Sequence, residues 1–258
     1  DNFQYSPIKP SQAEVTLLSE EKYGYRDLIV DDELEWKVTI YKDNSGWERW
    51  WAGYLVPDTV NERYTCEPYE ITFRAQCGLK VLGNLKYSNS VDADGWPEPI
   101  IQGSKTISDV LRLCFNKLEL EAHFIVACNV YEDSLTSTDA TFNQVSIRNI
   151  NYAFSRVENG EPEIYPKTCL EAIQGVLKPF GARIFQTQFD GDIVWMITRI
   201  NEMYGTVRYF HVPYLATTTT GPFTQDWTEV VDTDSENHNT KTIPIQNDMG
   251  LLWNPIYS

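Results

Sequence analysis

Three histidines are the side chains of this 258-residue chain best suited to acid–base chemistry. They are scattered, at His123, His211 and His238, and two of them fall in predicted strands. No H-E-x-x-H, G-x-S-x-G or phosphate-binding glycine motif accompanies them. We therefore interpret the strand histidines as satisfied or half-exposed structural residues, and we predict no catalytic residue, no cofactor and no enzymatic activity.

Two acidic clusters have residue types suited to a hard cation. Asp92 and Asp94 precede Gly95 as in part of an EF-hand loop, but Ser90 and Ile101 stand where that loop supplies further ligands. The second cluster comprises Asp232, Asp234 and Glu236. We interpret both as solvated turns and predict no metal site. A glycosidase needs only two carboxylates, and among 37 acidic side chains no pair stands out.

The cysteine content and the net charge limit the redox compartment and the binding partners expected for the chain. The 5 cysteines are odd in number and show no C-x-x-C spacing, so we predict free thiols in a reducing compartment. The formal net charge of −16 argues against a surface that binds nucleic acid or anionic membranes, although DNA could pass such a surface without binding. No apolar run approaches the roughly 18 residues of a membrane span.

One aromatic cluster could form a binding surface. Trp47, Trp50, Trp51 and Tyr54 fall in a single predicted hairpin, as in a sugar-binding platform. Trp50 and Trp51 are adjacent, however, and adjacent strand residues point to opposite faces. We therefore favour one face buried in the domain and the other in a partner subunit. The predicted interface residues are Trp47, Trp50, Trp51, Tyr54, Trp227 and Trp253.

The most clearly specified element is a capped helix that begins at Thr168. Glu171 stands three residues later and completes a capping box with the Thr168 N-cap. Pro179 and Gly181 end the helix, because glycine adopts the left-handed C-terminal conformation at little cost. The predicted apolar stripe comprises Leu170, Ile173, Leu177 and Phe180.

A second copy of this helix lies upstream. Thr106 aligns with Thr168 and Asp109 with Glu171, at an offset of 168 − 106 = 62 residues. The predicted stripe of the upstream helix comprises Ile107, Val110, Leu111, Cys114 and Leu118. Each helix runs into a predicted strand. The pattern fits an internal duplication within a β-rich frame, and it also fits two unrelated amphipathic helices with threonine caps.

Alternating apolar residues predict strands along most of the chain. Pro57 is expected to end the strand over 47–56, because proline has no amide to give to the ladder. Further strands are predicted at 13–18, 36–41, 69–77, 123–131, 144–154, 182–189, 192–200 and 206–212. The fold class is therefore mainly β (α+β).

Composition also divides the chain. The segment 87–103 has the composition of a turn, and we predict a domain boundary there, between a domain over 1–100 and a helix-plus-sheet domain over 101–215. The remainder, 216–258, is acidic and too polar for a core of its own, which predicts an extended arm or a poorly ordered tail.

Two motifs lie in the predicted strands of the first domain. The first is carried by Gly53, Tyr54, Leu55, Pro57 and Asp58, and the second by Pro68, Tyr69, Glu70, Ala75, Gly78, Leu79 and Leu82. They resemble a pattern found in tail proteins of phages and prophages of Bacteroidetes-type bacteria. The resemblance covers about 6–199 and includes PFGARIFQ over 179–186, and its motifs are structural rather than catalytic. One departure is Cys77, which stands where the pattern has aspartate.

The resemblance implies a hub at the tail tip or baseplate. Such hubs pair two small β-barrel-like domains, each with one short amphipathic helix, and form a trimeric ring of pseudo-sixfold symmetry. It implies a homotrimer in the virion tail, assembled in the bacterial cytoplasm. Its partners would be other tail proteins: the tube or distal tail protein, the tape measure protein and a tip fibre.

A ring that DNA traverses gains from a lumen without basic side chains, because each phosphate contact would retard the polymer. The predicted lumen residues are Asp27, Asp31, Asp32, Glu33 and Glu35. Ordinary solubility would also explain these carboxylates. Two other functions compete with the hub: a carbohydrate-binding or adhesin-type β module that uses the tryptophan-rich hairpin, and a glycoside hydrolase domain that degrades cell walls.

Overall fold

The structure, a computed structural model, describes residues 6–19, 30, 32–43, 46–62, 68–88, 101–128, 140–158, 161–199, 206–212, 214 and 220–226. Strand residues outweigh helical ones, at 52% against 23%, which confirms the predicted mainly-β class. The sheets are open, and no closed barrel is found among the described residues, so the two barrel-like domains are not observed.

Strands and helices follow one another in a fixed order along the chain. The strands are β1 (Ile8–Lys9), β2 (Gln12–Ser19), β3 (Lys37–Asp43), β4 (Trp47–Glu62), β5 (Tyr69–Gln76), β6 (Ser104–Thr106), β7 (His123–Ala127), β8 (Ser146–Arg148), β9 (Ala153–Glu158), β10 (Glu161–Pro166), β11 (Ala182–Phe189), β12 (Asp192–Arg199), β13 (Thr206–Val212) and β14 (Thr220–Asp226). The α-helices are α1 (Gly78–Val81), α2 (Ile107–Asn116), α3 (Thr141–Gln144) and α4 (Cys169–Leu177).

The first large sheet has four antiparallel strands in the order β2-β5-β4-β3. Apolar residues of β5 alternate with polar ones, and the apolar side is buried, as the sequence predicts. The prediction that Pro57 ends its strand is wrong, because β4 continues to Glu62. Pairing between β4 and β5 changes register between Val56 and Asn61, and a proline is tolerated at such an irregularity.

The second large sheet has six strands in the order β1-β11-β12-β7-β13-β14. Its centre is the predicted hairpin of β11 and β12, whose turn residues Asp190 and Gly191 both have positive φ, at 53° and 82°. β7 joins β12 in parallel, and β13 joins β7 through three residue pairs only. The strand β14 lies within the predicted polar arm, so this part of the arm belongs to the sheet.

The segment predicted as one strand over 144–154 is broken into several elements, and that prediction is wrong. It contains the end of α3, then β8, then a 3-10 turn over Asn149–Tyr152, and finally the start of β9. The strands β9 and β10 form a two-stranded hairpin of their own. The strands β6 and β8 form another small pair.

One hydrophobic core joins both large sheets to the helices. It contains Tyr54 and Leu79 from the first predicted domain together with Leu111, Ile173 and Trp195 from the second. Both amphipathic helices, α2 and α4, lie within 101–215 and pack against each other.

Polar contacts also join the two sheets. The side-chain amide of Gln186 accepts from the Ala52 amide at 3.3 Å and donates to the Ala52 carbonyl at 2.7 Å, as a neighbouring strand would. Arg49 donates two bonds to the carboxylate of Asp192, at 2.6 and 2.7 Å. The strand β4 is thereby fixed against β11 and β12, and β12 lines part of the cavity described below.

Candidate functional site

The predicted aromatic interface divides between surface and core. Trp47 and Trp50 are exposed, by 76% and 40%, and lie on the hairpin of β3 and β4. Trp51 and Tyr54 are buried in the chain's own core, so these two are not available to a partner and their assignment to the interface is wrong. Trp227 and Trp253 lie outside the described residues. We call the exposed group of Tyr41, Trp47 and Trp50 the tryptophan tip.

A second exposed apolar surface lies on the hairpin of β9 and β10. Val157 is 67% exposed and Ile164 is 45% exposed, and Phe154 stacks on Tyr165 with ring centroids 5.8 Å apart. An isolated two-stranded hairpin is only marginally stable in water, so its exposed apolar residues favour a partner. Val157 and Ile164 share one face of this hairpin, and Phe154 lies on the other face. We call the hairpin with these three residues the apolar ribbon. Sequence reasoning missed it because 144–154 was interpreted as one strand.

The ribbon is anchored at its base by Tyr152. The ring of this tyrosine lies against Gly175 of α4, where an added Cβ would be 2.7 Å from the ring. The carbonyl of Tyr152 also accepts from the amide of Lys167, at 2.8 Å. A side chain at position 175 would require the Tyr152 ring to shift, so Gly175 allows this close contact at the base of the ribbon.

Several residues that carry the resemblance to phage tail proteins lie in closely packed positions. At Gly53 an added Cβ would collide with the backbone oxygen of Gln76, and at Gly78 it would collide with the side chain of Leu118. Tyr54 and Leu79 are fully buried. These motifs therefore specify close packing between β4, β5 and the segment after α2, as expected of motifs without catalytic residues.

Both amphipathic helices begin as the sequence predicts. The Thr168 side chain accepts from the Glu171 amide at 3.2 Å, and the Glu171 carboxylate accepts from the Thr168 amide at 2.9 Å. At the upstream helix, the Thr106 side chain accepts from the Asp109 amide at 3.1 Å. The predicted stripe of α2 is buried throughout. In the stripe of α4, Ile173 and Leu177 are fully buried, and Leu170 and Phe180 are half-buried.

Each helix start is hydrogen-bonded to a segment from the other half of the chain, and we call these two segments the exchanged anchors. The residues after α1 pair with the start of α4: the Cys169 amide donates to the Leu85 carbonyl at 2.8 Å. The residues after α3 pair with the start of α2: the Ile107 amide donates to the Val145 carbonyl at 3.1 Å. The short helices are 141 − 78 = 63 residues apart, close to the 62 that separate the N-caps. This reciprocal arrangement agrees with the predicted duplication.

Three of the predicted lumen residues form a turn before β3. Asp32, Glu33 and Glu35 are exposed, while Asp27 and Asp31 lie outside the described residues. The Asp32 carboxylate accepts from the Leu34 amide at 2.9 Å. Glu33 accepts from the Asn84 side chain at 2.7 Å, so the turn is held against the end of α1.

The structure brings together two histidines that the sequence shows only as scattered. Nε2 of His211 lies 3.0 Å from Nδ1 of His123, and the ring centroids are 4.9 Å apart. Burial, and then the proximity of His123, lower the pKa of His211. The pair lines a cavity of about 330 Å³ beside Asp190 and Tyr209. No sequence signal could have found it, because only strand pairing places the two residues side by side.

The cysteines that the structure describes agree with the prediction of free, buried thiols. They are Cys77, Cys114, Cys128 and Cys169, and Cys66 lies outside the described residues. Burial raises the pKa of the Cys77 thiol. In the α2–α4 contact, burial raises the pKa of Cys114 and the neighbouring thiol lowers the pKa of Cys169. These thiols pack as small apolar groups.

Both acidic clusters considered for calcium lie outside the described residues. Within the described part of the chain, no three histidine, cysteine, aspartate or glutamate side chains converge as ligands for one ion. None of the helices described there is long and apolar enough to cross a membrane. Comparisons of this chain with protein-family models, with curated proteins and with solved structures found no match, so the resemblance to phage tail proteins stays a prediction from the sequence motifs.

Proposed function

We propose that this chain is a structural hub protein of a phage tail tip, which assembles as a ring of three copies, joins the tail tube to the tip and leaves a passage for DNA. The observation that carries the proposal is the presence of two separate exposed apolar surfaces, the tryptophan tip and the apolar ribbon. A cyclic ring needs two different surfaces on every copy, because each copy contacts its neighbours head to tail. Large exposed apolar groups commonly mark such contacts.

The duplicated helices also support a hub. The resemblance implies a ring of pseudo-sixfold symmetry, and a chain with two related units would supply six units from three copies. The motif residues support a structural role, because Gly53, Gly78 and Tyr54 act in close packing. The other tail proteins, the virion location and the assembly in the cytoplasm belong to the same proposal.

Charge supports the passage of DNA. The exposed turn of Asp32, Glu33 and Glu35 would face the axis of the ring, where carboxylates repel the phosphate backbone. The intact oligomer should therefore bind no DNA even at low salt, as measured by fluorescence anisotropy of a labelled duplex. A trimer structure with this turn on the outside and lysines at the axis would contradict the lumen assignment.

The ring is tested by mass measurement in solution with paired variants. The tip variant Trp47→Ser/Trp50→Ser and the ribbon variant Val157→Ser/Ile164→Ser should each dissociate the parent trimer to monomers. An equal mixture of the two should stop at dimers, because only one intact tip meets one intact ribbon. Leu18→Ser, an exposed apolar residue on the edge strand β2, is the matched control and should leave the trimer intact.

Two outcomes would contradict the ring. A parent protein that stays monomeric at every concentration has no self-association to explain. A trimer that survives both double substitutions uses other surfaces. Circular dichroism of each variant should match the parent, since all the substituted side chains are exposed.

The second candidate is carbohydrate binding by the tryptophan tip. Its support is the strongly exposed ring of Trp47, together with Lys42, whose amine lies 4.9 Å from the ring centroid of Trp50. Aromatic faces of this kind can stack on sugar rings. Binding of the parent to a glycan array, lost in the tip variant and kept in the ribbon variant, would favour this function over the ring.

A further inference from the structure

We propose that His123 and His211 form a cross-strand chelating site for a divalent transition-metal ion such as Cu²⁺, Ni²⁺ or Zn²⁺. Imidazole nitrogen is a favoured ligand for all three ions. Two nitrogens held about 2.1 Å from one ion stand about 3.0 Å apart at the right angle of a square-planar Cu²⁺ or Ni²⁺ ion, and about 3.4 Å apart at the tetrahedral angle of Zn²⁺. The observed distance between Nε2 of His211 and Nδ1 of His123 is 3.0 Å, so both nitrogens can reach one ion with little movement.

The backbone preorganises the pair. His211 pairs with Ile125 across β13 and β7, and His123 lies two residues from Ile125, on the same face of the sheet. The strand β7 is in turn paired with β12, where Val194 is the partner of His123. Both imidazoles thus stand on paired strands rather than on loops, which lowers the entropic cost of chelation.

The electrostatic surroundings suit a cation. A histidine binds metal in its neutral form. Asp190 and Asp192 line the same cavity. Arg49 engages both carboxylate oxygens of Asp192, so Asp190 is the carboxylate of the two whose charge is not offset by this arginine.

The number of ligands sets the strength and the role of the site. Among the described residues no group of three or more ligands converges, so two imidazoles are what this part of the chain offers. Such a site binds more weakly than a four-ligand structural zinc site, and folding does not depend on it. A bound ion would connect β7 to β13, which is held there by only three residue pairs.

The test is metal binding by the full, untagged chain after treatment with chelator and buffer exchange. Isothermal titration at pH 7.5 with the chlorides of Cu²⁺, Ni²⁺ and Zn²⁺ should give one ion per chain. His123→Ala and His211→Ala should each weaken binding about tenfold or more, because one ligand then acts alone. His238→Ala, the remaining histidine, is the matched control and should bind like the parent. A bound ion should also raise the melting temperature of the parent but not of the two site variants.

A measurement on the parent protein keeps the test decisive if a variant fails to fold. Electron paramagnetic resonance of the Cu²⁺ complex should show coupling to two imidazole nitrogens. The proposal is overturned if none of the three ions binds, if either site variant binds as the parent does, or if the Cu²⁺ spectrum lacks two imidazole nitrogens. The contact between His123 and His211 would then be a hydrogen bond only.

Discussion

The helices α2 and α4 begin alike, but the start of α4 is more completely satisfied. At α4 the amides of Cys169 and Leu170 donate to the carbonyls of Leu85 and Leu82, at 2.8 and 3.1 Å, and Glu171 closes the capping box. The helix therefore begins with a bonded amide at each of its first positions. The third amide, that of Glu171, donates to the hydroxyl oxygen of Thr168.

At α2 the third position is Asp109, whose side chain is one methylene shorter than that of glutamate. Its carboxylate accepts from the Thr106 hydroxyl at 2.8 Å and from Arg112, instead of from the N-cap amide. The capping box is thereby replaced by an ion pair within the helix. The same difference appears at the other end: Gly181 follows α4 at φ 58°, whereas Glu119 and Glu121 take positive φ after α2.

The comparison teaches that similar helices in one chain can be specified in different ways. The downstream helix carries strong local signals at both ends. The upstream helix has weaker local signals, and its stripe is more completely buried than that of α4. Tertiary packing therefore contributes relatively more to α2, as it does in most protein helices.

The largest effect is expected from a charge in either stripe. Ile173→Asp and Leu111→Asp, which are equivalent at the 62-residue offset, should each lower the free energy of unfolding by several kcal/mol, because an unpaired charge is buried. Urea denaturation measures the loss. The matched controls Ile173→Leu and Leu111→Ile should cost less than about 1.5 kcal/mol. An aspartate variant that unfolds like the parent would show that its stripe is assigned wrongly.

Substitutions that follow the two helices should change the stability of the protein in opposite directions. Gly181→Ala should destabilise by roughly 1 kcal/mol, because alanine is strained at φ 58°, although nothing lies near the added methyl group. Glu121→Gly should stabilise by up to about 1 kcal/mol, because it relieves the same strain after α2. Thermal melts of both variants check the signs. Equal destabilisation by both would mean that backbone strain does not distinguish the two ends.

The N-caps should differ in how strongly cap and third residue are coupled. Thr168→Ala and Thr106→Ala should each cost about 1 kcal/mol. The double-mutant cycles of Thr168→Ala with Glu171→Ala and of Thr106→Ala with Asp109→Ala should each report a hydroxyl–carboxylate bond, whereas Glu171→Ala alone should also lose the bond from the Thr168 amide. Replacing Asp109 by Glu should bring the upstream cap closer to the downstream one. If Asp109→Glu does not raise the free energy of unfolding, this account of the difference between the caps is wrong.

The smallest effect concerns pH. Burial alone would raise the pKa of Asp109, but hydrogen bonds from Arg112 and Thr106 outweigh burial and hold it below its usual range. A lowered pKa in the folded state stabilises the protein above the ordinary aspartate pKa, and that contribution disappears as the pH falls through the folded-state value. Asp109→Asn should therefore flatten the acid limb of the stability curve slightly. Glu171→Gln is the matched variant at α4. If the pH dependence of stability is the same in Asp109→Asn as in the parent, the lowered pKa of Asp109 does not contribute to it.

Local signals explain which parts of the fold were predictable. The caps at Thr106 and Thr168, the Asp-Gly hairpin turn and the alternation of β5 depend on neighbours in the sequence, and they are found as predicted. Pairing between distant segments was not predictable, because strand alternation does not name a partner. The joining of β1 to β11 is one example, and the meeting of His123 and His211 is another.

The apolar ribbon was missed for a related reason. Exposed apolar residues on a hairpin look like core residues in the sequence, since only the fold shows which faces are covered. Trp51 and Trp50 illustrate the same limit: the sequence predicts opposite faces, but burial decides which of them a partner can reach.

The exchanged anchors have a consequence for synthesis on the ribosome. Thr106 emerges before its partner Ser146, and Lys86 emerges long before its partner Thr168. The start of α2 therefore stays without its anchor until the second half of the chain has been made, and the segment after α1 waits longer still. Folding of the helical layer should begin late and then finish in a single concerted step, since neither half can close its own helix start.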